Sequence, residues 1–249
     1  MPHFSVPLDN AIKFTKPPNK KKIMTQRWSK LFFMHWQYPA ADIQKLLPEG
    51  LFVDTYEGKA YVGIVSFVMS HIRPFGLPPI PRLSSSLELN LRTYVYDGNK
   101  NPGVWFFSLD ASSPLLVWLA RKLFHLPYFN ADQKINFEND EIIFSSERQK
   151  SNNANKLIFK PGQMRHFGKP GSLDFFLTSR YLLFSYHASK GKLYRGRIYH
   201  KPYELKPAKI AQYDTHLFSM DYLKPPVEKP CHVIYCDSVD VEIFELQQL

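Results

Sequence analysis

Between Leu87 and Ala111 the chain alternates its chemistry residue by residue, and that alternation dictates a strand with two unlike faces. Leu87, Leu89 and Leu91 fall on one side, and Glu88, Asn90, Arg92 and Tyr94 on the other, because successive side chains of an extended chain point in opposite directions. A half-exposed strand usually carries Lys, Thr or Ser on its wet side. An acid, an amide, a guanidinium and a phenol in sequence suit the polar wall of a pocket instead. Asp97-Gly98 opens a turn and the chain returns over 104–111. In a simple register residues of equal parity share a face, which places Ser108 and Asp110 beside Glu88, Asn90 and Arg92. Two carboxylates flanking an arginine have their pKa values pulled apart, as acid–base chemistry needs. The same set serves equally well as a buried ion-pair network closing the sheet. A one-residue bulge would break the shared face.

The rest of the chain repeats this rhythm. Strand patterns run over 28–38, 51–56, 60–72, 129–137, 141–148, 155–160, 180–187, 192–200, 206–213, 231–236 and 240–246. Helical patterns are few: 40–47, 172–178, and a longer one opened by Ser113 as N-cap with Pro114 at the first helical position. The four prolines between Arg73 and Pro81 predict an extended loop. About ten strands at short intervals with few helices predict an α+β, mainly antiparallel fold, a curled sheet or closed barrel with short helices outside. No linker divides the chain after residue 24, so 24–249 reads as a single domain. Residues 1–23 are polar, Pro-containing and basic; they are expected to be a disordered leader, with an ordered arm as the alternative.

The formal charge of +10 raises the question of an anionic partner. The charges are scattered apart from Lys20-Lys21-Lys22, and no helix-turn-helix, zinc-finger or RNP-like pattern accompanies them, so nucleic acid is not expected as a partner. No apolar run reaches the ~18 residues of a membrane span. Cys231 and Cys236 lie five positions apart and are expected as reduced thiols in a cytoplasmic protein.

Other residues carry weaker signals. His35, beside Trp36, is either a base or hydrogen-bond donor or a satisfied core residue. Arg121 either reaches a ligand carboxylate or caps its helix. Arg180-Tyr181 reads as an anion site or a surface salt bridge. Histidine and cysteine spacings give no metal motif. Neither GxSxG nor GxGxxG is present, so no cofactor is expected.

Strung along the chain in order are His35-Trp36, Leu47-Pro48-Glu49-Gly50-Leu51, Asn90-Leu91-Arg92-Thr93-Tyr94-Val95, Phe107-Ser108-Leu109-Asp110-Ala111, Leu126-Pro127-Tyr128 and His200-Lys201-Pro202. In these the sequence resembles the DUF2071 (YqjF-like) family, which in turn resembles acetoacetate decarboxylase in fold. The resemblance implies a curled antiparallel sheet around a central cavity and a strand glutamate at Glu88. It also points to the position after Leu126-Pro127, where that enzyme has an imine-forming lysine. Here Tyr128 stands there, and a phenol cannot form an imine, so Schiff-base decarboxylation is not expected.

The resulting expectation is a small-molecule site for an organic acid or carbonyl compound. Arg92 or Arg121 would hold the anion, helped by Asn90, Ser108 and His35, while Glu88, Tyr128 and Asp110 would move protons. The alternatives are a non-catalytic ligand-sensing module, and a partner-binding domain whose interior is filled by Phe106, Phe107 and Phe129.

Overall fold

The computed structural model describes residues 5–76, 85–151 and 153–249. In chain order its strands are β1 (Lys22–Tyr38), β2 (Leu51–Val53), β3 (Ala60–Pro74), β4 (Ser85–Asp97), β5 (Pro102–Ala111), β6 (Tyr128–Glu138) and β7 (Glu141–Arg148). They continue as β8 (Ala154–Pro161), β9 (Leu182–His187), β10 (Lys192–His200), β11 (Leu205–Tyr213), β12 (His232–Phe244) and β13 (Gln247–Gln248). The helices are α1 (Leu8–Ile12), α2 (Ala40–Gln44), α3 (Pro114–Phe124), α4 (Leu173–Thr178) and α5 (His216–Met220). Among the described residues no helix is long and apolar enough to cross a membrane.

All the strands join one mixed sheet that curls into a ring, and its pairings close two circuits. Both circuits share the wall β12-β1-β3-β4-β5. One returns from β5 to β12 through β9 and β10, the other through β6, β7, β8 and β11. Most pairs are antiparallel; β5–β6 and β5–β9 are parallel. A parallel neighbour needs a crossover, and α3 supplies the one between β5 and β6. Ser113 caps it, accepting from the Leu116 N–H, and His125 ends it in the left-handed conformation.

The shared wall works on both faces. Leu89, Leu91, Ile64, Phe32, Met34 and Trp36 point into the lobe of β6–β8 and β11, where Phe144, Phe159, Leu217 and Phe218 complete a filled core. Leu31, Phe33, Val65, Phe67 and Leu109 point the other way, under α3. Bulges keep the long strands on duty: β1 slips register between Ser29 and Phe32, with Lys30 at φ 55°. Met24, Gln26 and Trp28 before the slip, and Leu31 and Phe33 after it, therefore line the same space.

Several boundaries differ from the sequence reading. The segments 231–236 and 240–246 form one continuous strand, β12. Of the proline-rich stretch, Arg73 and Pro74 close β3, and everything beyond residue 76 falls outside the described residues. Where a disordered leader is expected, residues 5–21 carry α1 and a short 3-10 turn. Val6 there is buried, and Arg197 donates to the Phe14 and Lys16 carbonyls. The apolar anchors Val6 and Phe14 are too sparse to register as a pattern among lysines and prolines.

Candidate functional site

Under α3, the apolar side of the wall encloses a cavity of about 420 Å³, within the usual range for small-molecule sites. Its sides are hydrocarbon: Met24, Trp28 and Phe33 from β1, Phe67, Met69 and Ile72 from β3, Leu116, Leu119 and Leu123 from α3, Leu183 from β9. Polar groups come chiefly from one strand. Glu88, Asn90 and Arg92 of β4 line it, joined by Tyr128, Thr178 and Arg180. The interior is thus open, since of the phenylalanines expected to fill it only Phe106 reaches it.

Glu88 is buried and held from two sides: Tyr128 Oη donates to Oε2 at 2.7 Å and Asn90 Nδ2 to Oε1 at 2.9 Å. Burial lifts its pKa to about 7, although both hydrogen bonds and the nearby Arg92 charge favour the carboxylate. Burial and the Glu88 charge push the Tyr128 phenol well upward. The pair therefore offers a carboxyl that exchanges its proton near neutrality, beside a phenol that keeps its own.

Arg92 is held differently. It forms no salt bridge among the described residues; its Nη2 makes only long contacts, 3.5 Å to Tyr94 Oη and 3.5 Å to the Leu177 carbonyl. Its Nε and the Asn90 Oδ1 are buried without a hydrogen-bond partner. Arg180, by contrast, is committed to Asp54 at 2.6 Å and to the Phe176 carbonyl, a buried pair rather than a surface one.

Ser108 and Asp110 do not join this site. In the observed register Leu89 pairs with Asp110 and Leu91 with Ser108, so both polar residues lie on the leucine face. Equal parity holds from the turn to the Arg92–Phe106 pair, and the register slip between Leu91 and Arg92 breaks it beyond that point. Asp110 instead meets Arg148 at 2.8 Å, and Arg148 also reaches Asp221 at 3.1 Å, while Ser108 Oγ donates to Asp221. Arg121 is also elsewhere: its Nε donates to the Tyr128 carbonyl at 2.6 Å, and its side chain lines a shallow outer groove with Trp105, His125 and His187.

His35 lies behind the polar wall, fully buried. Its Nε2 meets Tyr94 Oη at 2.7 Å and its Nδ1 meets His232 Nδ1 at 3.0 Å. His232 Nε2 meets Asp174 Oδ1 at 2.7 Å, and His166 Nε2 meets Asp174 Oδ2 at 2.8 Å. Burial, then the His232 and Arg92 charges, lower the His35 pKa well below the ordinary range. The chain is extended: among the described residues no three such side chains converge as metal ligands. His232 lies 58 residues from Asp174, and His166 eight residues before it, with no familiar motif spacing linking them. Gly63 makes the arrangement possible, because a Cβ there would sit 2.5 Å from the His35 ring. Gly63→Ala should cost on the order of 1–3 kcal/mol in a denaturant titration; an unchanged midpoint would show that the ring has room to move.

Comparison with known proteins gives three findings. Residues 25–240 match the model of a family described as an uncharacterized conserved protein, DUF2071. The uncharacterized protein YqjF of Bacillus subtilis (strain 168) is 39% identical over 188 residues, 75% of this chain and 76% of that protein. Among solved structures, acetoacetate decarboxylase from Legionella pneumophila aligns over 97% of this chain and 94% of its own, with a TM-score of 0.61 and 14% identity. The enduracididine biosynthesis enzyme MppR, complexed with pyruvate, aligns over 94% and 93%, with a TM-score of 0.64 and 8% identity. At those identities the likeness is one of fold.

Proposed function

This chain belongs to the DUF2071 family, built on the acetoacetate decarboxylase fold, and on that footing we propose that its cavity binds an organic acid or carbonyl compound with an apolar body. The observation that carries the reading is the Arg92 guanidinium: a cation with no salt bridge among the described residues, with a buried unpaired Nε, at the polar edge of a hydrocarbon cavity. The guanidinium is half-buried, and a donor such as its buried Nε is costly to leave unpaired unless an acceptor completes it. The ligand carboxylate meets Arg92, and its tail lies along β1, β3 and α3. Arg92 is near enough to Glu88 for its charge to favour the carboxylate, and Asn90 lies between them on the strand. A second polar group close to the ligand carboxylate, such as a 3-oxo group, therefore faces Asn90 and Glu88. Glu88, titrating near neutrality, gives or takes a proton there, while Tyr128 steadies it.

Among the described residues no lysine lines the cavity, which supports the absence of imine chemistry. The same fact favours a second reading, a sensing module that binds without turnover. A cytoplasmic setting, in which Cys231 and Cys236 stay reduced, goes with either.

A thermal-shift and calorimetric series tests the proposal, using hexanoate, decanoate, 3-oxodecanoate and decanol as probes. Affinity should rise from hexanoate to decanoate and fall for decanol. Arg92→Ala should weaken decanoate roughly 10- to 100-fold, the value of a charge-assisted hydrogen bond. Binding of no acid at all, or equal binding by Arg92→Ala, would refute the assignment. Turnover of 3-oxodecanoate that disappears in Glu88→Gln would mark an enzyme; binding without turnover would mark the sensor.

A further inference from the structure

With its imidazoles neutral, the chain of contacts behind Arg92 takes one direction. Asp174 is a carboxylate whose pKa is lowered, first by the His232 hydrogen bond, with burial opposing and His166 helping. An ionised carboxylate only accepts, so His232 and His166 both present N–H groups at Nε2. With one proton on each ring, His232 Nδ1 is a lone pair, and across 3.0 Å it must receive the Nδ1–H of His35. His35 Nε2 is then the acceptor of the Tyr94 O–H at 2.7 Å. With its proton committed to His35, the Tyr94 oxygen turns its lone pairs outward, to the Arg92 Nη2 at 3.5 Å.

We propose that Tyr94, His35, His232 and Asp174 form a directional hydrogen-bond relay that positions the Arg92 guanidinium at the cavity wall. Four separate elements contribute to it: β4, β1, β12 and α4. None of these side chains lines the cavity, so they act through Arg92 as positioning residues. Arg92 has little else to fix it. Its remaining described partners are the Leu177 carbonyl and the faces of Phe33 and Tyr94, 5.5 and 5.7 Å from the guanidinium carbon. A tyrosine free to rotate would as readily point its O–H at the guanidinium, and two donors repel. Asp174, partly exposed at the outer end, sets the tautomers of both inner rings, as a carboxylate orients an imidazole in a hydrolase triad. That Arg92 serves an anionic ligand rests on the reading given under Proposed function; the relay itself does not.

Side-chain NMR on protein labelled with 15N-histidine and 15N-arginine, free of any ligand, tests the relay directly. Long-range proton–nitrogen spectra should show His35 protonated at Nδ1 and bare at Nε2, and His232 protonated at Nε2. Asp174→Asn keeps the shape of the outer end and removes its charge; it should disturb both tautomers and raise the hydrogen-exchange rate of the Arg92 side chain about tenfold or more. His35 protonated at Nε2 in the unaltered protein, or an Arg92 signal indifferent to Asp174→Asn, would overturn the relay. Decanoate titration adds the functional arm: Asp174→Asn should weaken binding severalfold, and should add nothing on top of Arg92→Ala. Full additivity of the two would count against action through Arg92. Unaltered protein that binds no decanoate, with both NMR results as expected, would overturn the anchor role of Arg92 and support the relay.

Discussion

Arg148→Met should lower the stability of this protein by about 3–5 kcal/mol, the cost of leaving buried charge uncompensated. The guanidinium lies between Asp110 and Asp221, with the three side chains only 9%, 0% and 6% exposed. It also stacks over Phe129 at 4.0 Å. Removing it leaves two carboxylates facing one another across a dry space, with only Ser108 donating to one of them. Burial already raises Asp110 to about 6 with Arg148 in place, which shows how little margin the cluster has. The network joins β5, β7 and the end of α5, so its loss loosens the closure of the filled lobe. Urea unfolding measures the effect. A loss below 1 kcal/mol would show that water or a rearranged partner reaches the carboxylates. Replacing all three residues by apolar ones should recover most of the loss, because the desolvation cost then disappears with the charges.

Glu88→Gln should stabilise the protein at pH 8 and leave it nearly unchanged at pH 4. The sign follows from where the proton binds. Glu88 titrates at about 7 in the folded chain and near the ordinary 4.5 when unfolded. Between those values the folded state holds the extra proton, so the contribution of Glu88 is complete below 4.5 and is lost as pH rises through about 7. The separation is worth at most ~3 kcal/mol. Glutamine removes the titration and fits the site: Tyr128 still donates to its oxygen, and Asn90 can turn its unpaired Oδ1 toward the new amide. The difference between the two proteins, measured across pH, isolates Glu88 from Asp110, whose raised pKa adds a slope of the same sign to both. A pH-independent difference would place the Glu88 titration outside this range.

The strand reading at 87–96 succeeded because period-two alternation is a local property of β4 itself. Leu89 and Leu91 do face a core, and Glu88, Asn90 and Arg92 do face a cavity. The placement of Ser108 and Asp110 failed because register is a property of two strands: equal parity holds from the turn as far as Arg92 and Phe106, and the one-residue slip beyond them puts Leu89, not Glu88, in line with Asp110. Arg148, Asp221, His232 and Asp174 were beyond reach for a different reason: each is unremarkable in its own segment and gains its role only when the sheet closes. Arg121 shows the limit of reach arguments, since a long side chain on a helix finds the nearest carbonyl before it finds a ligand. The helices α1 and α5 are five residues long, too short for a 3.6-residue period to show.

The wall common to the two lobes divides the labour of its strands at every second position. Along β4, Glu88, Asn90 and Arg92 answer to the cavity, while Leu89 and Leu91 answer to the filled core. The same interleaving runs through β1 and β3. A library that varies only the cavity-facing positions can therefore exchange one ligand preference for another while the intervening residues keep the scaffold folded. The bulges at Lys30 of β1 and Phe107 of β5 are the places where that spacing rule changes phase. An insertion or deletion of one residue between them would present leucines to the ligand and charges to the core, so sequence drift in this wall should proceed by substitution and not by changes in length.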